Sequence, residues 1–258
     1  MRAIRIARCL LFWVGFTGFL AAPAAEEAPP QAPKQDERVF TKDITRPVRM
    51  NYLLHLPASY RPDGKKTWPL LVFLHGSGEK GTNVALVRKN GPPKLAETNA
   101  NFPFILLSPQ SPPGQYGWSE DAVIALIDEV AAHHAVDRKR IYLTGLSMGG
   151  YGTWTLATSH PHLFAAIAPV CGGGDSDDVA WVKRGDPKAF ESLGVWAFHG
   201  AKDNVVPLSE SQDMVRALKE TGCRDIQLTV FPEAGHDAWT EAYSNPKLYE
   251  WFLRHRLE

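Results

Sequence analysis

Residues 141–154 read IYLTGLSMGGYGTW, and the strand, turn and helix that they predict are the strongest indication of the fold. The apolar run 141–144 predicts a strand, and the spacing that follows predicts a helix over 148–159. The turn between them has the pattern G-x-S-x-G, centred on Ser147. In so tight a turn the residues two before and two after the serine must be small, and the strained backbone lifts the hydroxyl clear of the sheet. The segment therefore predicts a nucleophilic serine, with an ordinary glycine-rich turn as the alternative.

Apolar runs of strand length recur on both sides of this segment, and helical patterns separate them. The predicted strands are 50–56, 70–74, 104–107, 141–144, 165–170, 195–198 and 226–230, and the predicted helices are 119–134, 148–159, 209–221 and 247–255. Strands separated by helices favour β-α-β units and a mostly parallel sheet. We therefore expect an α/β fold, a central sheet flanked by helices, with functional residues at the carboxyl ends of strands.

Two further candidates follow other predicted strands. Asp203 stands in HGAKD after the strand 195–198, and His236 stands in EAGHD after the strand 226–230. A buried carboxylate would orient an imidazole, and the imidazole would act as general base toward the Ser147 hydroxyl. Taken singly, each could be a loop residue without a catalytic role. The order Ser, Asp, His, each after a separate strand, predicts a catalytic triad.

Acyl transfer also needs N–H donors for the negative charge that develops on the substrate oxygen. One predicted donor is the backbone N–H of Met148, directly after the nucleophile. The other comes from the loop HGSG after the strand 70–74, where we expect the Ser77 N–H, with the glycine on either side as the alternative. We expect His75, which opens this loop, to be a packed structural residue.

The N-terminus has the pattern of a secretory signal peptide. Arginines precede an apolar run at 9–22, and a small-x-small pattern follows. The run is shorter than the roughly 20 residues that span a bilayer, which favours a signal peptide over the alternative of an uncleaved membrane anchor. We expect residues 1–24 to be a signal peptide, 25–38 a flexible Pro-rich linker and 39–258 a catalytic domain, secreted or periplasmic.

Composition excludes several classes of protein. The 258 residues carry 28 Lys and Arg against 28 Asp and Glu, which excludes a nucleic-acid binder that works by bulk charge. Apolar residues make up 44% and charged residues 22%, as in a folded domain. Of the 3 cysteines, Cys171 and Cys223 lie beyond the signal peptide, as a disulfide or as two buried thiols. No metal-ligand spacing or nucleotide motif is present, so we expect no cofactor and no metal.

Four segments, LVFLHGSGEKG, YLTGLSMGGYGTW, AFHGAKDNVVP and FPEAGHDAW, resemble secreted carboxylesterases of the α/β-hydrolase superfamily. The nearest branches are the dienelactone-hydrolase, prolyl-oligopeptidase-like, polyhydroxybutyrate-depolymerase and feruloyl-esterase-like groups. The resemblance covers residues 49–258. It implies a metal-free serine hydrolase with nucleophile Ser147, acid Asp203, base His236 and an oxyanion loop at Ser77.

This sequence departs from two of those branches. Full prolyl oligopeptidases carry a β-propeller domain, for which these 258 residues leave no room. Dienelactone hydrolases use a cysteine nucleophile where this sequence has Ser147. Both departures argue against those narrower activities.

Three tryptophans are candidate substrate contacts. Trp118, Trp181 and Trp239 are predicted in loops on the carboxyl side of strands. There they could stack on an aromatic or sugar-linked ester, or simply pack the rim of the site. The segment 172–192 is too short and too polar for a lipase lid, so we expect a minimal lid and no long acyl chain.

The sequence predicts a serine carboxylesterase that acts through an acyl-enzyme on a small-molecule or polysaccharide-linked ester. It predicts no nucleic-acid partner and no stable membrane span after cleavage. Two alternatives stay open. One is a prolyl-oligopeptidase-like peptidase with the same triad, and the other is a catalytically silent binding protein on the same fold.

Overall fold

The computed structural model of the protein describes residues 35–99 and 101–258. Residues 35–45 are exposed and form no regular secondary structure, whereas Arg46–Glu258 is one compact unit. The predicted signal peptide, with most of the predicted linker, lies outside the described residues. Within the described part, no helix has both the length and the apolar character that a membrane span requires.

One sheet of 7 strands forms the centre of the compact unit. The strands are β1 (Asn51–His55), β2 (Trp68–Leu74), β3 (Ile105–Gln110), β4 (Val136–Leu146), β5 (Ala166–Val170), β6 (Gly194–Gly200) and β7 (Ile226–Phe231). Their spatial order is β1-β3-β2-β4-β5-β6-β7. Only the edge pair β1–β3 is antiparallel among these neighbours, which confirms the predicted mostly parallel sheet.

Helices flank the sheet. They are α1 (Gly91–Thr98), α2 (Glu120–His133), α3 (Met148–Ser159), α4 (Ser176–Gly185), α5 (Leu208–Glu220), α6 (Trp239–Ser244) and α7 (Pro246–Arg254). Helices α2, α3, α5 and α7 occupy the predicted positions within a residue or two. Helices α1, α4 and α6 are additions to the sequence prediction.

Helix α4 corrects one of those predictions, because Trp181 lies on it and not in a loop. The side chain of Asp175 caps the helix by accepting the Asp177 N–H at 2.8 Å. Acidic residues in its first turn and basic residues in its last turn complement the helix dipole. Trp239 is likewise the first residue of α6, not a loop residue.

The core has two layers, one on each face of the sheet, and β2 supplies both in alternation. Leu70, Val72 and Leu74 pack in the layer that contains α2, α3 and α5. Leu71 and Phe73 pack in the layer that contains α1, α6 and α7. A strand buried on both faces is typical of a parallel sheet. The parallel order brings the carboxyl ends of β4, β6 and β7 to one edge, which is where this architecture places its sites.

Candidate active site

The turn from β4 to α3 holds Ser147 in a strained conformation. Its φ is 51° and its ψ is −116°, in a region that non-glycine residues rarely adopt. The two glycines of the motif permit the close approach that this turn requires. A Cβ on Gly149 would lie 1.9 Å from the carbonyl oxygen of Leu74, and one on Gly145 would lie 2.3 Å from the carbonyl oxygen of Gly149. The small residues are therefore a steric requirement of the turn.

The structure brings the three residues of the predicted triad together. Nε2 of His236 lies 2.9 Å from Oγ of Ser147, and Nδ1 lies 2.8 Å from Oδ2 of Asp203. Since a carboxylate only accepts, Nδ1 donates to Asp203 and Nε2 is left to accept the Ser147 hydroxyl. The His236 side chain is 19% exposed and that of Asp203 is 0% exposed. This arrangement allows His236 to take the Ser147 proton and allows Asp203 to stabilise the imidazolium that results.

The Asp203 carboxylate is buried yet well supplied with donors. Its Oδ1 accepts the backbone N–H groups of Val205 and Val206, each at 2.9 Å. Burial raises the pKa of this carboxyl, but the hydrogen bonds from His236 and from the two amides outweigh burial and set the pKa below its ordinary value. The group is therefore an anion at neutral pH, opposite the imidazole.

The two predicted oxyanion donors line one cavity. Ser77 begins the 3₁₀ turn Ser77–Glu79 after Gly76, whose backbone is extended. A Cβ at Gly76 would lie 2.7 Å from a terminal methyl group of Leu146, so a larger residue here would require that side chain to move. Ser77 and Met148 both line a cavity of about 450 Å³ at the carboxyl edge of the sheet.

Aromatic side chains form much of that cavity. Tyr116, Trp118 and Tyr151 line it together with the apolar Leu156. Trp118 packs edge-on against His75, with ring centroids 4.8 Å apart. The cavity can therefore receive a flat or apolar group next to Met148, the residue that directly follows the candidate nucleophile.

The other two predicted tryptophans do not line this cavity. The Trp239 ring packs edge-on against His236, with centroids 5.1 Å apart, and it lines a second cavity of about 290 Å³. Trp181 is 71% exposed on α4. Of the three predicted substrate contacts, the structure brings Trp118 to the cavity that Ser77 and Met148 line.

His75 has the packed environment that the sequence predicts. Its Nδ1 lies 2.6 Å from the carbonyl oxygen of Gly76, and its Nε2 accepts the Ser111 N–H at 3.0 Å. Burial lowers the pKa of this imidazole to about 4. The ring is therefore neutral at physiological pH and positions the loop that carries Ser77.

Two buried polar residues near the site have no counterpart in the sequence prediction. Glu79 is 5% exposed, and its carboxylate accepts the Asn90 amide at 3.2 Å. Burial raises the pKa of Glu79, although Lys89 partly offsets that effect. His199 lies in the same HGAKD segment as Asp203, and that shared segment is the only sequence signal for it.

One group of side chains in the described ranges has metal-ligand composition. Ligand atoms of Cys171, His199 and Asp203 lie within 4.8 Å of one another. Burial raises the pKa of the Cys171 thiol to about 12, so the sulfur is not a thiolate at neutral pH. The His199 and Asp203 atoms already have hydrogen-bond partners. Cys171 and Cys223 are both free and buried, which corresponds to the alternative of two thiols.

Comparison with known proteins places the chain among hydrolases. A model of the prolyl oligopeptidase family matches residues 117–183 and 188–256, slightly more than half of the chain. A poly(3-hydroxyalkanoate) depolymerase C of Paucimonas lemoignei is 28% identical over 145 residues, which are 50% of this chain and 33% of that protein. A probable feruloyl esterase C of Aspergillus clavatus is 26% identical over 188 residues, 70% of this chain and 65% of that protein.

Solved structures give the same result for the fold. A thermostable esterase superposes with a TM-score of 0.65 at 33% identity, covering 80% of this chain and 59% of that one. A feruloyl esterase module from Clostridium thermocellum shares the fold, with a TM-score of 0.60 at 15% identity and coverage of 79% and 87%. The chain thus spans only part of several relatives. These matches confirm the resemblance and the α/β-hydrolase fold that the four motif segments predict.

Proposed function

The chain belongs to the prolyl oligopeptidase family, and from that premise we propose that it is a serine hydrolase that cleaves carboxylic esters. The observation that carries this proposal is the unbroken set of contacts from Ser147 through His236 to Asp203, at 2.9 and 2.8 Å. Relatives whose names describe esterases support the choice of an ester as substrate.

In the first half of the reaction, Oγ of Ser147 bonds to the ester carbonyl carbon while Nε2 of His236 takes the hydroxyl proton. Asp203 stabilises the imidazolium that results. The carbonyl oxygen becomes an oxyanion, and the N–H groups of Ser77 and Met148 donate to it. These donors belong to fixed backbone, so little reorganisation is needed when the charge appears.

In the second half, the tetrahedral intermediate collapses, and His236 gives its proton to the departing alcohol oxygen. The acyl group is then an ester of Ser147. Water attacks this acyl-enzyme as His236 removes a proton from it, and the proton returns to Ser147 when the acid leaves. His236 takes and returns each proton that is transferred in this cycle, so the mechanism requires no cofactor.

The cavity beside the triad supports a short or aromatic acyl group in preference to a long chain. Its volume is about 450 Å³, and Trp118 and Tyr151 offer flat faces on which an aryl group could stack. The pattern at residues 1–24 supports a secreted or periplasmic enzyme that meets small-molecule or polysaccharide-linked esters outside the cytoplasm.

A peptidase is the second candidate, because the matching family model is that of prolyl oligopeptidases. A panel of acetate, feruloyl, acetyl-sugar and long-chain esters, with matched anilides, separates the two. We expect turnover of the short and feruloyl esters, little of the anilides, and none by Ser147→Ala. Anilide turnover equal to ester turnover would favour the peptidase, and a folded protein inert to every substrate would favour the silent binding protein.

Trp118→Ala tests the substrate class within the same panel. Removal of this ring should raise KM for the feruloyl ester by about fivefold, since one stacked aromatic pair contributes roughly 1 kcal/mol beyond its buried area. KM for the acetate ester should change much less. Equal changes for both esters would contradict an aromatic acyl site at Trp118.

A further inference from the structure

His199 is a buried histidine at the end of β6, and the proposed catalytic steps do not use it. Its side chain is 0% exposed, and both ring nitrogens have partners. Nε2 lies 2.9 Å from the carbonyl oxygen of Val206, and Nδ1 lies 2.7 Å from Oγ of Ser211. We propose that His199 is a positioning residue for the catalytic acid Asp203, an inference that rests on the proposed ester hydrolase function.

Nε2 of His199 carries a hydrogen. The carbonyl oxygen of Val206 can only accept, so Nε2 of His199 must carry a hydrogen. The same nitrogen lies 3.3 Å from Oδ2 of Asp203, which is the oxygen that accepts from His236. The carboxylate oxygen that faces the catalytic imidazole therefore has the positive edge of a second imidazole beside it. In a site closed to water, that partial charge fixes the carboxylate more strongly than it would at the surface.

His199 also contacts the backbone turn that surrounds Asp203. The N–H of Val206 donates to Oδ1 of Asp203, while the carbonyl of the same residue accepts from His199. His199 thus holds the turn whose amides fix the other carboxylate oxygen. Both oxygens of Asp203 depend on this ring, one through direct proximity and one through the turn.

Neighbouring segments fix the position of the His199 ring. The hydroxyl of Ser211, on α5, donates to the carbonyl oxygen of Gly172 at 2.9 Å, and its Oγ lies 2.7 Å from Nδ1 of His199. Gly172 follows β5, so the ring is held between two segments that border the site. The side of the ring that acts on Asp203 is Nε2, whereas the Nδ1 side anchors the ring.

Two substitutions separate these sides. The amide nitrogen of His199→Gln reaches the position of Nε2 and keeps a donor for Val206 and Asp203. The amide of His199→Asn reaches only the position of Nδ1. We expect His199→Asn to lower kcat for a chromogenic acetate by about 10- to 100-fold at nearly constant KM, the usual effect of losing a hydrogen bond at a buried charge. His199→Gln should stay within a few-fold of wild type, and equal losses in both variants would overturn the proposal.

A double-mutant cycle with Asp203→Asn gives a readout that a merely structural role would not produce. If His199 acts through the Asp203 carboxylate, adding His199→Asn to Asp203→Asn should lower kcat by less than threefold further. Losses that multiply would show that the histidine acts independently of Asp203, and would overturn the inference.

Folding is checked by near-ultraviolet circular dichroism of each variant. If His199→Asn does not fold, His199→Gln decides, because it keeps the Nε2 donor. It should retain kcat, and a loss beyond about tenfold in the folded variant would overturn the inference. Absence of ester turnover by the wild-type protein would instead reject the proposed function, so the two failures are distinguishable.

Discussion

Oγ of Ser147 lies 2.9 Å from Nε2 of His236, although 89 positions separate the two residues along the chain. The contact depends on the sheet order, because Ser147 follows β4 and His236 follows β7. Because the strands from β4 to β7 are parallel, the carboxyl ends of β4 and β7 lie at the same edge of the sheet.

Asp203→Asn should lower kcat for a chromogenic acetate by about 10⁴-fold. An amide cannot compensate the imidazolium charge, and its N–H favours the wrong tautomer of His236. Steady-state kinetics on the folded variant checks this. A loss smaller than tenfold would mean that the carboxylate 2.8 Å from Nδ1 has no catalytic role.

Ser77→Pro tests the backbone donor of the oxyanion loop. Gly76 is extended, with φ −78° and ψ 179°, which suits a residue before proline, and the first turn of a helix tolerates proline. The substitution removes the Ser77 N–H while leaving the chain path. We expect kcat to fall by about 10²- to 10³-fold. Ser77→Ala keeps the N–H and should show a far smaller loss, so equal kcat for the two variants would exclude this donor.

Gly149→Ala should destabilise the protein by about 3 kcal/mol or more, because its Cβ would lie 1.9 Å from the Leu74 carbonyl oxygen. Gly185→Ala is the matched control, since a Cβ there has no atom within 4 Å. Urea unfolding measures both free energies of unfolding. Similar values for the two variants would contradict the steric origin of the G-x-S-x-G pattern.

His75 should make the protein less stable in mild acid. The unfolded chain binds a proton at this imidazole near pH 6.5, whereas the folded pKa is about 4. Between these values the unfolded state binds more protons, so the free energy of unfolding falls as pH falls. From pH 7 to pH 5 this residue should remove about 2 kcal/mol.

Urea unfolding of wild type and His75→Gln at pH 7 and pH 5 isolates that contribution. The glutamine keeps an acceptor for the Ser111 N–H but does not titrate near neutral pH. Wild type should lose about 2 kcal/mol more than the variant over this interval. Equal losses would mean that the folded imidazole titrates as it does in the unfolded chain.

The sequence is sufficient to predict much of the fold and the meeting of Ser147, Asp203 and His236 at one edge of the sheet. Each triad residue directly follows an apolar run, and the carboxyl-edge rule for parallel sheets then predicts that they meet. Helices α2, α5 and α7 each bury one apolar face, and that periodic pattern predicts them. Helix α3 is buried on most sides and has no such stripe, so it is predicted from its place after the glycine-rich turn.

Elements with weak apolar patterns are harder to predict. Helix α4 buries only Val179, and 4 of its 10 residues are charged, so its sequence resembles a polar loop. Helix α1 begins with Gly-Pro-Pro, which is typical of a turn, yet proline is tolerated in the first turn of a helix. Their existence depends on caps and tertiary contacts that no short-range pattern contains.

The contact partners of buried polar residues also cannot be predicted from the sequence alone. His199 has its role only because Val206, Ser211 and Asp203 surround it in space. Glu79 is buried, and its carboxylate accepts the amide of Asn90, which lies 11 positions further along the chain. Such roles follow from three-dimensional neighbours, and a single sequence does not specify them.

Covalent labelling with a fluorophosphonate, read by intact mass and peptide mapping, tests the nucleophile most directly. Wild type should gain one adduct on Ser147, Ser147→Ala should gain none, and His236→Gln should react orders of magnitude more slowly. A folded wild-type protein that gains no adduct, or one that carries it on another residue, would contradict the assignment of Ser147 and His236 as nucleophile and base.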